Sequence, residues 1–293
     1  MAVVMAILLA PGAASARPGE VASSRTSGTW PAWSPNGRKI AFTSVSVSGS
    51  PGIDVYAMNA DGSGQRRLTR APGLDTYAAW SPDSGRLVFV GGRGVAAVTT
   101  ELYVMNADGS GRRQLTRNGA LSAIPAWSAN GKKIAFEIDA VPAAVWVMNA
   151  DGKRQHRVTP KRENDYNPSW SPNGRRITFA RKRGGNVDIY VMNADGSHKR
   201  RLTRAHGVDA KPAWSPDDRR IAFQSNRDGN FEVYVMNADG SNQRRLTRNG
   251  AQDSNPTWAP NSRKIAFQSD LSGDFEIWVM RADGTAPHQL TRG

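Results

Sequence analysis

The sequence predicts an all-β fold, a six-bladed β-propeller with four antiparallel strands per blade, and three observations carry that prediction. A tryptophan opens each of six repeats, at Trp33, Trp80, Trp127, Trp170, Trp214 and Trp258, spaced 47, 47, 43, 44 and 44 residues apart. Each repeat holds short apolar runs that alternate with period two, and no stretch has helical periodicity. Tight-turn signals recur at fixed places between those runs.

Taken in order, the chain opens on an apolar run, Ala2 to Ala10, followed by Ala14-Ser15-Ala16 ahead of Arg17. That is the pattern of a secretory signal peptide over residues 1–16, too short for a membrane span. It implies export to the periplasm or the extracellular space. Residues 17–27, rich in Ser, Gly and Pro, read as a flexible leader, and the propeller as residues 28–293. The blades fall at about 29–70, 76–117, 123–160, 166–204, 210–248 and 254–292.

Within a blade, the first strand ends at the tryptophan, as in Lys211-Pro212-Ala213-Trp214. A turn of the type Ser34-Pro35-Asn36-Gly37 follows, with Pro presetting φ and Gly supplying positive φ. The second strand places large residues on one face and mostly small ones on the other, as in Ile221-Ala222-Phe223. After a variable loop the third strand reads Val233-Tyr234-Val235-Met236, closed by Asn237-Ala238-Asp239-Gly240. The fourth is Arg244-Arg245-Leu246-Thr247-Arg248 or close to it. Because the first copy starts with its own first strand and the sixth ends with its own fourth, no strand-exchange clasp is expected. The six repeat methionines and the opening tryptophans read as core.

The net charge is +14 over 293 residues with no cysteine, which excludes disulfides and thiolate metal sites. Much of the charge has a structural reading. An acid opens the third strand at Asp54, Glu101, Asp188, Glu232 and Glu276, with an arginine sixteen residues later at Arg70, Arg117, Arg204, Arg248 and Arg292. In the third copy both are lost together, to Ala144 and Pro160. These positions are expected to face each other as cross-strand ion pairs. Arg pairs on the outermost strand, such as Arg66-Arg67 and Arg244-Arg245, would discourage edge-to-edge aggregation.

Candidate binding residues lie where the repeat varies. Five residues before the tryptophan stand Asp75, Asp165, Asp209 and Asp253, expected at the mouth of the central channel, with Tyr77, Tyr166, Lys211 and Asn255 nearby. Such carboxylates either converge on a cation or basic side chain, or accept hydrogen bonds from their own loops. No Gly-x-Ser-x-Gly elbow is present, and His156, His198, His206 and His288 lack ligand spacing. The expectation is therefore no catalytic residue, no metal and no cofactor.

Trp-Ser-Pro-Asp/Asn-Gly-x-x-Ile-Ala-Phe, Ile/Val-Tyr-Val-Met-Asn-Ala-Asp-Gly and Arg-Arg-Leu-Thr together resemble the repeat of TolB-type β-propellers, a WD-repeat-like pattern, over about 265 of 293 residues. They are also similar to the regulatory propellers of prolyl oligopeptidase-like enzymes, without a hydrolase domain following. TolB proteins carry a further α/β domain before the propeller, for which this chain has no room. The resemblance implies a periplasmic or secreted scaffold that binds proteins through the channel-mouth face. The basic outer strands make an anionic envelope polymer the other expected partner, and the export signal speaks against nucleic acid. The lack of a catalytic set points to a non-enzymatic protein, and a monomer is expected. The alternative is a metal-dependent propeller hydrolase or lyase acting on carbohydrate.

Overall fold

The computed structural model describes residues 27–46, 52–93 and 99–292. The proposed signal peptide, and the leader up to residue 26, lie outside them. Among the described residues there are twenty-four strands and no helix, and in chain order they form six antiparallel units of four. The first unit comprises Thr29–Trp33, Lys39–Ser46, Gly52–Asn59 and Arg66–Arg67; the last comprises Ser254–Trp258, Lys264–Ser269, Glu276–Arg281 and His288–Gln289. Parallel bridges at Gly52↔Gly73, Ile53↔Leu74 and Thr100↔Leu121 link the first three units into one hydrogen-bonded sheet.

The period-two pattern is explained by where each face packs. In the second strand Ile40, Ala41 and Phe42 are all fully buried, since this strand is covered on both faces by neighbouring units. Trp80, Leu87, Phe89 and Met105 of the second unit pack on Ala41, Val55, Ala57 and Leu68 of the first. Burying one such Phe contributes about 1.5–3 kcal/mol. All six repeat methionines are buried to within 1%.

The ring closes by the same packing. The first strands of successive units touch in sequence, and the last, Ser254–Trp258, returns to the first, Thr29–Trp33. Ile40, Phe42, Tyr56 and Met58 form a cluster with Ile277 and Leu290 of the last unit. Gly28 N–H donates to Phe275 O at 3.1 Å. Each unit is completed by its own strands, as the sequence predicts.

The Asp-Gly turns do more than close hairpins. A Cβ at Gly240 would stand 2.8 Å from the Leu202 carbonyl oxygen of the preceding unit. The equivalent approaches are Gly109 to Leu68, Gly152 to Leu115, Gly196 to Val158 and Gly284 to Leu246, and Gly62 to Leu290 completes the circle. Glycine is needed here for its missing side chain as well as for its positive φ.

The expected acid–arginine pairs are corrected by one residue of register. Tyr56 pairs with Arg67 across the outer hairpin, which sets Asp54 opposite Thr69 and leaves Arg70 past the strand end. The direct ion pairs are Asp54–Arg67 at 2.8 Å, Asp188–Arg201 at 2.7 Å and Glu232–Arg245 at 2.5 Å, thirteen residues apart rather than sixteen. Arg70 reaches Asp54 only as a weaker long-range attraction. Glu101 accepts from the Thr116 hydroxyl and Glu276 from that of Thr291, in place of the expected contacts to Arg117 and Arg292. The threonine is the repeated device: in every unit its Oγ1 also accepts from the backbone N–H of the third strand, as Thr247 does from Val233 at 3.0 Å.

Two glycine substitutions separate the contributions at these turns. Gly273 has φ +108 and open space around it, so Gly273→Ala is expected to cost about 1–2 kcal/mol for backbone strain alone. Gly240, at φ +92, adds the clash with Leu202, and Gly240→Ala is expected to lose a further 1–3 kcal/mol or so. Urea midpoints measure both; equal midpoints would remove the inter-unit role of the turn glycine.

Candidate functional site

The first strand of every unit slips its register just before the tryptophan, as between Thr76 and Ala79. One residue in each slip is left-handed: Trp30 (φ 50), Tyr77 (51), Ile124 (47), Asn167 (54), Lys211 (53) and Asn255 (52). A non-glycine residue there costs about 1–2 kcal/mol. Proline follows in all but the second unit, and its missing N–H suits a bulge where the ladder bond is already absent. Because these strands are innermost, the six bulges face one another and line a shallow central pocket.

Six different side chains thus occupy one structural position. Trp30 and Tyr77 meet with ring centroids 4.5 Å apart. Lys211, from the fifth unit, spans the channel and sets its Nζ 4.9 Å from the centre of the Tyr77 ring in the second. Its ammonium makes no hydrogen bond or ion pair among the described residues. Burial pulls the Lys211 pKa down to about 8, against the attraction of Glu137.

The bulge N–H groups are capped across the unit boundaries. Gln268 Oε1 accepts from Trp30 N–H at 3.0 Å, and Gln224 Oε1 from Asn255 N–H at 3.1 Å. The equivalent residue in the third unit is Glu137, whose Oε2 accepts from Asn167 N–H at 3.1 Å. Asn167 Oδ1 in turn accepts from Lys211 N–H at 3.3 Å. Glu137 is only 8% exposed, and burial raises its pKa to about 7 despite Asn167 and Lys211.

The four aspartates do not converge on the channel. Asp75, Asp165, Asp209 and Asp253 are at most 2% exposed; the first three are engaged inside their own units and Asp253 within the connection between the fifth and sixth units. Arg112 grips Asp75 through both terminal nitrogens, at 2.9 and 3.1 Å. Arg181 grips Asp165 at 2.6 and 2.9 Å. Arg227 meets Asp209 at 2.8 Å, and Asn249 donates to Asp253 at 2.9 Å. Each arginine also lies over a Phe–Tyr pair: Arg112 over Phe89 and Tyr103, Arg181 over Phe179 and Tyr190, Arg227 over Phe223 and Tyr234. Burial still outweighs Arg112 at Asp75 and raises its pKa to about 6.

Of the residues singled out from sequence, Tyr77, Lys211 and Asn255 are therefore at the channel mouth, and the aspartates support the blades beneath it. Tyr166 packs with Ala180, Val187 and Ala210 at the boundary between the fourth and fifth units. Trp30, Asn167, Ile124 and Glu137 complete the site. The signal for Trp30, Ile124 and Asn167 was the position three before each repeat tryptophan, where residue type changes from copy to copy, and for Glu137 the position after the core phenylalanine. Among the described residues no three His, Asp or Glu side chains come together as a metal site.

The channel pair gives a pH test. A carboxyl whose folded pKa is raised, here toward 7, makes the folded state the better proton binder, so its presence lowers stability as pH climbs from about 4.5 to 7. Glu137→Gln keeps an oxygen to accept from Asn167 N–H, as Gln224 and Gln268 do in their units. The variant is expected to be more stable than wild type at pH 8 by about 1–3 kcal/mol. The gain should vanish below pH 4.5, read from urea midpoints across the pH range. A gain that is constant with pH would remove the buried charge as its cause.

The chain matches the family described as the TolB beta propeller domain over residues 12–136 and 94–293. Among solved structures it is similar to a protein assigned as TolB from Agrobacterium tumefaciens, with 25% identity, 78% of this chain and 84% of that one covered, and a TM-score of 0.69. TolB from Acinetobacter baumannii is 21% identical over 87% of this chain and 69% of that one, with a TM-score of 0.64. An oligogalacturonate lyase in complex with manganese shares the fold at 15% identity, covering 88% and 90% of the two chains with a TM-score of 0.57. No curated protein matches the sequence. The family match spans nearly the whole chain and both TolB structures share its architecture, so the chain belongs to the TolB beta propeller domain family.

Proposed function

We propose that the protein is an exported, non-catalytic binding module that takes a protein or cell-envelope partner on its channel-mouth face. One observation carries this reading. Six equivalent positions share a fixed left-handed backbone, yet hold Trp30, Tyr77, Ile124, Asn167, Lys211 and Asn255. The frame repeats and the presented chemistry does not, which is how a repeat scaffold acquires specificity. Trp and Tyr, present here as Trp30 and Tyr77, are among the side chains that most often dominate a binding surface.

Export rests on the apolar run and small-residue cleavage pattern of residues 1–16. The non-catalytic reading rests on the fate of the aspartates. The alternative, a metal-dependent lyase or hydrolase, needs their carboxylates free in the channel, and they are held by Arg112, Arg181, Arg227 and Asn249. The 15% likeness to a lyase speaks for the fold alone.

Pull-down from envelope extract, compared between wild type, Lys211→Met and Tyr77→Ala, tests the site. Both substitutions are expected to lower recovery of the partner by about tenfold or more, as loss of a central contact does. Equal recovery of every partner by all three proteins would overturn the channel-mouth reading.

A further inference from the structure

The register correction leaves a set of residues without the role that the sequence suggested for them. Arg70, Arg117, Arg204, Arg248 and Arg292 follow the fourth strands of five units, all exposed, and none makes a hydrogen bond or close ion pair among the described residues. In the third unit Pro160 takes this position, but exposed Lys161 and Arg162 follow directly, so every unit places a cation there. Fourth strands run from the Asp-Gly turns toward the opposite face. These cations therefore ring the outer edge of the face that carries the channel mouth.

A second, independent observation concerns the same face. Three large apolar side chains are exposed among the described residues: Val45 at 47%, Val141 at 103% and Leu271 at 51%. Val141 and Leu271 lie in connections between second and third strands, and Val45 lies near the end of the second strand Lys39–Ser46, opposite Ile53, at the same face. Among the acids there, Asp228 and Asp274 are exposed, and Asp139, Glu163 and Asp270 are half-buried. Asp228 is bound by the Tyr234 hydroxyl and Arg245, Glu163 by Arg181 and Arg183, and Asp270 accepts from the Gln252 N–H.

The geometry points to a peripheral docking surface for an anionic lipid bilayer, with the basic rim on the headgroups and Val45, Val141 and Leu271 dipping into the interface. A single acidic side chain could engage only one rim cation. Cations spread round the whole circumference instead need a partner that is extended, flat and multiply charged. A bilayer of anionic lipid has that charge and that shape, and it also receives exposed apolar tips that a soluble polyanion would leave in water. The proposal uses the same face as the partner site but none of its side chains.

Sedimentation with vesicles of about one-third phosphatidylglycerol in phosphatidylcholine tests it. The full chain without residues 1–16 is expected to co-sediment with these vesicles, not with pure phosphatidylcholine, and to be released as salt rises from about 0.1 to 0.5 M. Changing Arg70, Arg117, Arg204, Arg248 and Arg292 together to Ser should weaken binding at least about tenfold without shifting the melting temperature. Val141→Asp with Leu271→Asp should weaken vesicle binding and leave binding to soluble polyglutamate as in wild type. Absence of wild-type binding, or wild-type binding by the five-serine variant, overturns the proposal. So does equal vesicle binding by the Val141/Leu271 variant, which would make the ligand a soluble polyanion. The rim variant keeps Trp30, Tyr77 and Lys211, so wild-type vesicle binding by it, with intact partner recovery, sinks only the lipid docking.

Discussion

The close approach of each turn glycine to the backbone carbonyl of the preceding unit is the constraint on which the ring depends. Six units with no exchanged strand can close only if the last boundary is as good as the other five. Gly62 against Leu290 repeats what Gly240 does against Leu202, and Ile40, Phe42 and Ile277 repeat the apolar packing of the internal boundaries. Arginines of the outer strand add to this. Arg113, Arg200 and Arg244 each donate to the carbonyl of the turn aspartate in the next unit, Asp151, Asp239 and Asp283, at 3.3, 2.8 and 2.9 Å. Their repetition thus has a positive structural cause, beyond keeping an open edge from pairing.

Strand content, turn positions and the Trp, Phe and Met core were legible in the sequence because each follows from local periodicity repeated six times. The pairing of Asp54, Asp188 and Glu232 was legible in kind but not in register. The fourth strand of this hairpin is only two residues long, so counting back from the turn misses the register by one, and Thr69 stands opposite the acid while its arginine is Arg67, three residues before Arg70. The threonine between them, present in all six units, was the better marker. The aspartate clamps were not legible at all. Arg112 comes from the approach to a fourth strand, Arg181 from a second strand and Arg227 from a loop, so no fixed spacing connects them to Asp75, Asp165 and Asp209. What they share is the Phe–Tyr shelf beneath each guanidinium, a feature of space rather than of sequence.

These assignments redistribute the charge of +14. Arg112, Arg181 and Arg227 neutralise buried aspartates, and their guanidinium planes suit both the bidentate carboxylate contact and the aromatic face, which lysine would not. Arg86 and Arg220 lie over Trp127 and Trp258 of the following units, at 5.2 and 4.6 Å. What remains unassigned after this internal use lies at both ends of the blades, with Arg70, Arg117, Arg204, Arg248 and Arg292 beyond the fourth strands and Arg38, Lys132, Arg175 and Arg263 in the turns at the other face. Total charge alone says nothing about a partner; the fraction with no internal duty is the informative part.

The channel itself breaks the pattern that its surroundings keep. Position by position, the residue after the core phenylalanine is Thr43, Val90, Glu137, Ala180, Gln224 and Gln268. Glutamine performs the capping of the next bulge in two units without charge, so Glu137 is not needed for that hydrogen bond. Its retained carboxyl, and a lysine stretched across the channel to an aromatic ring, both act against folding stability at neutral pH through loss of hydration. Local choices that oppose stability cluster where a protein uses them. Here they fall at the centre of the ring, where two chemically opposite groups and two aromatic side chains meet on a backbone that six repeats hold in place.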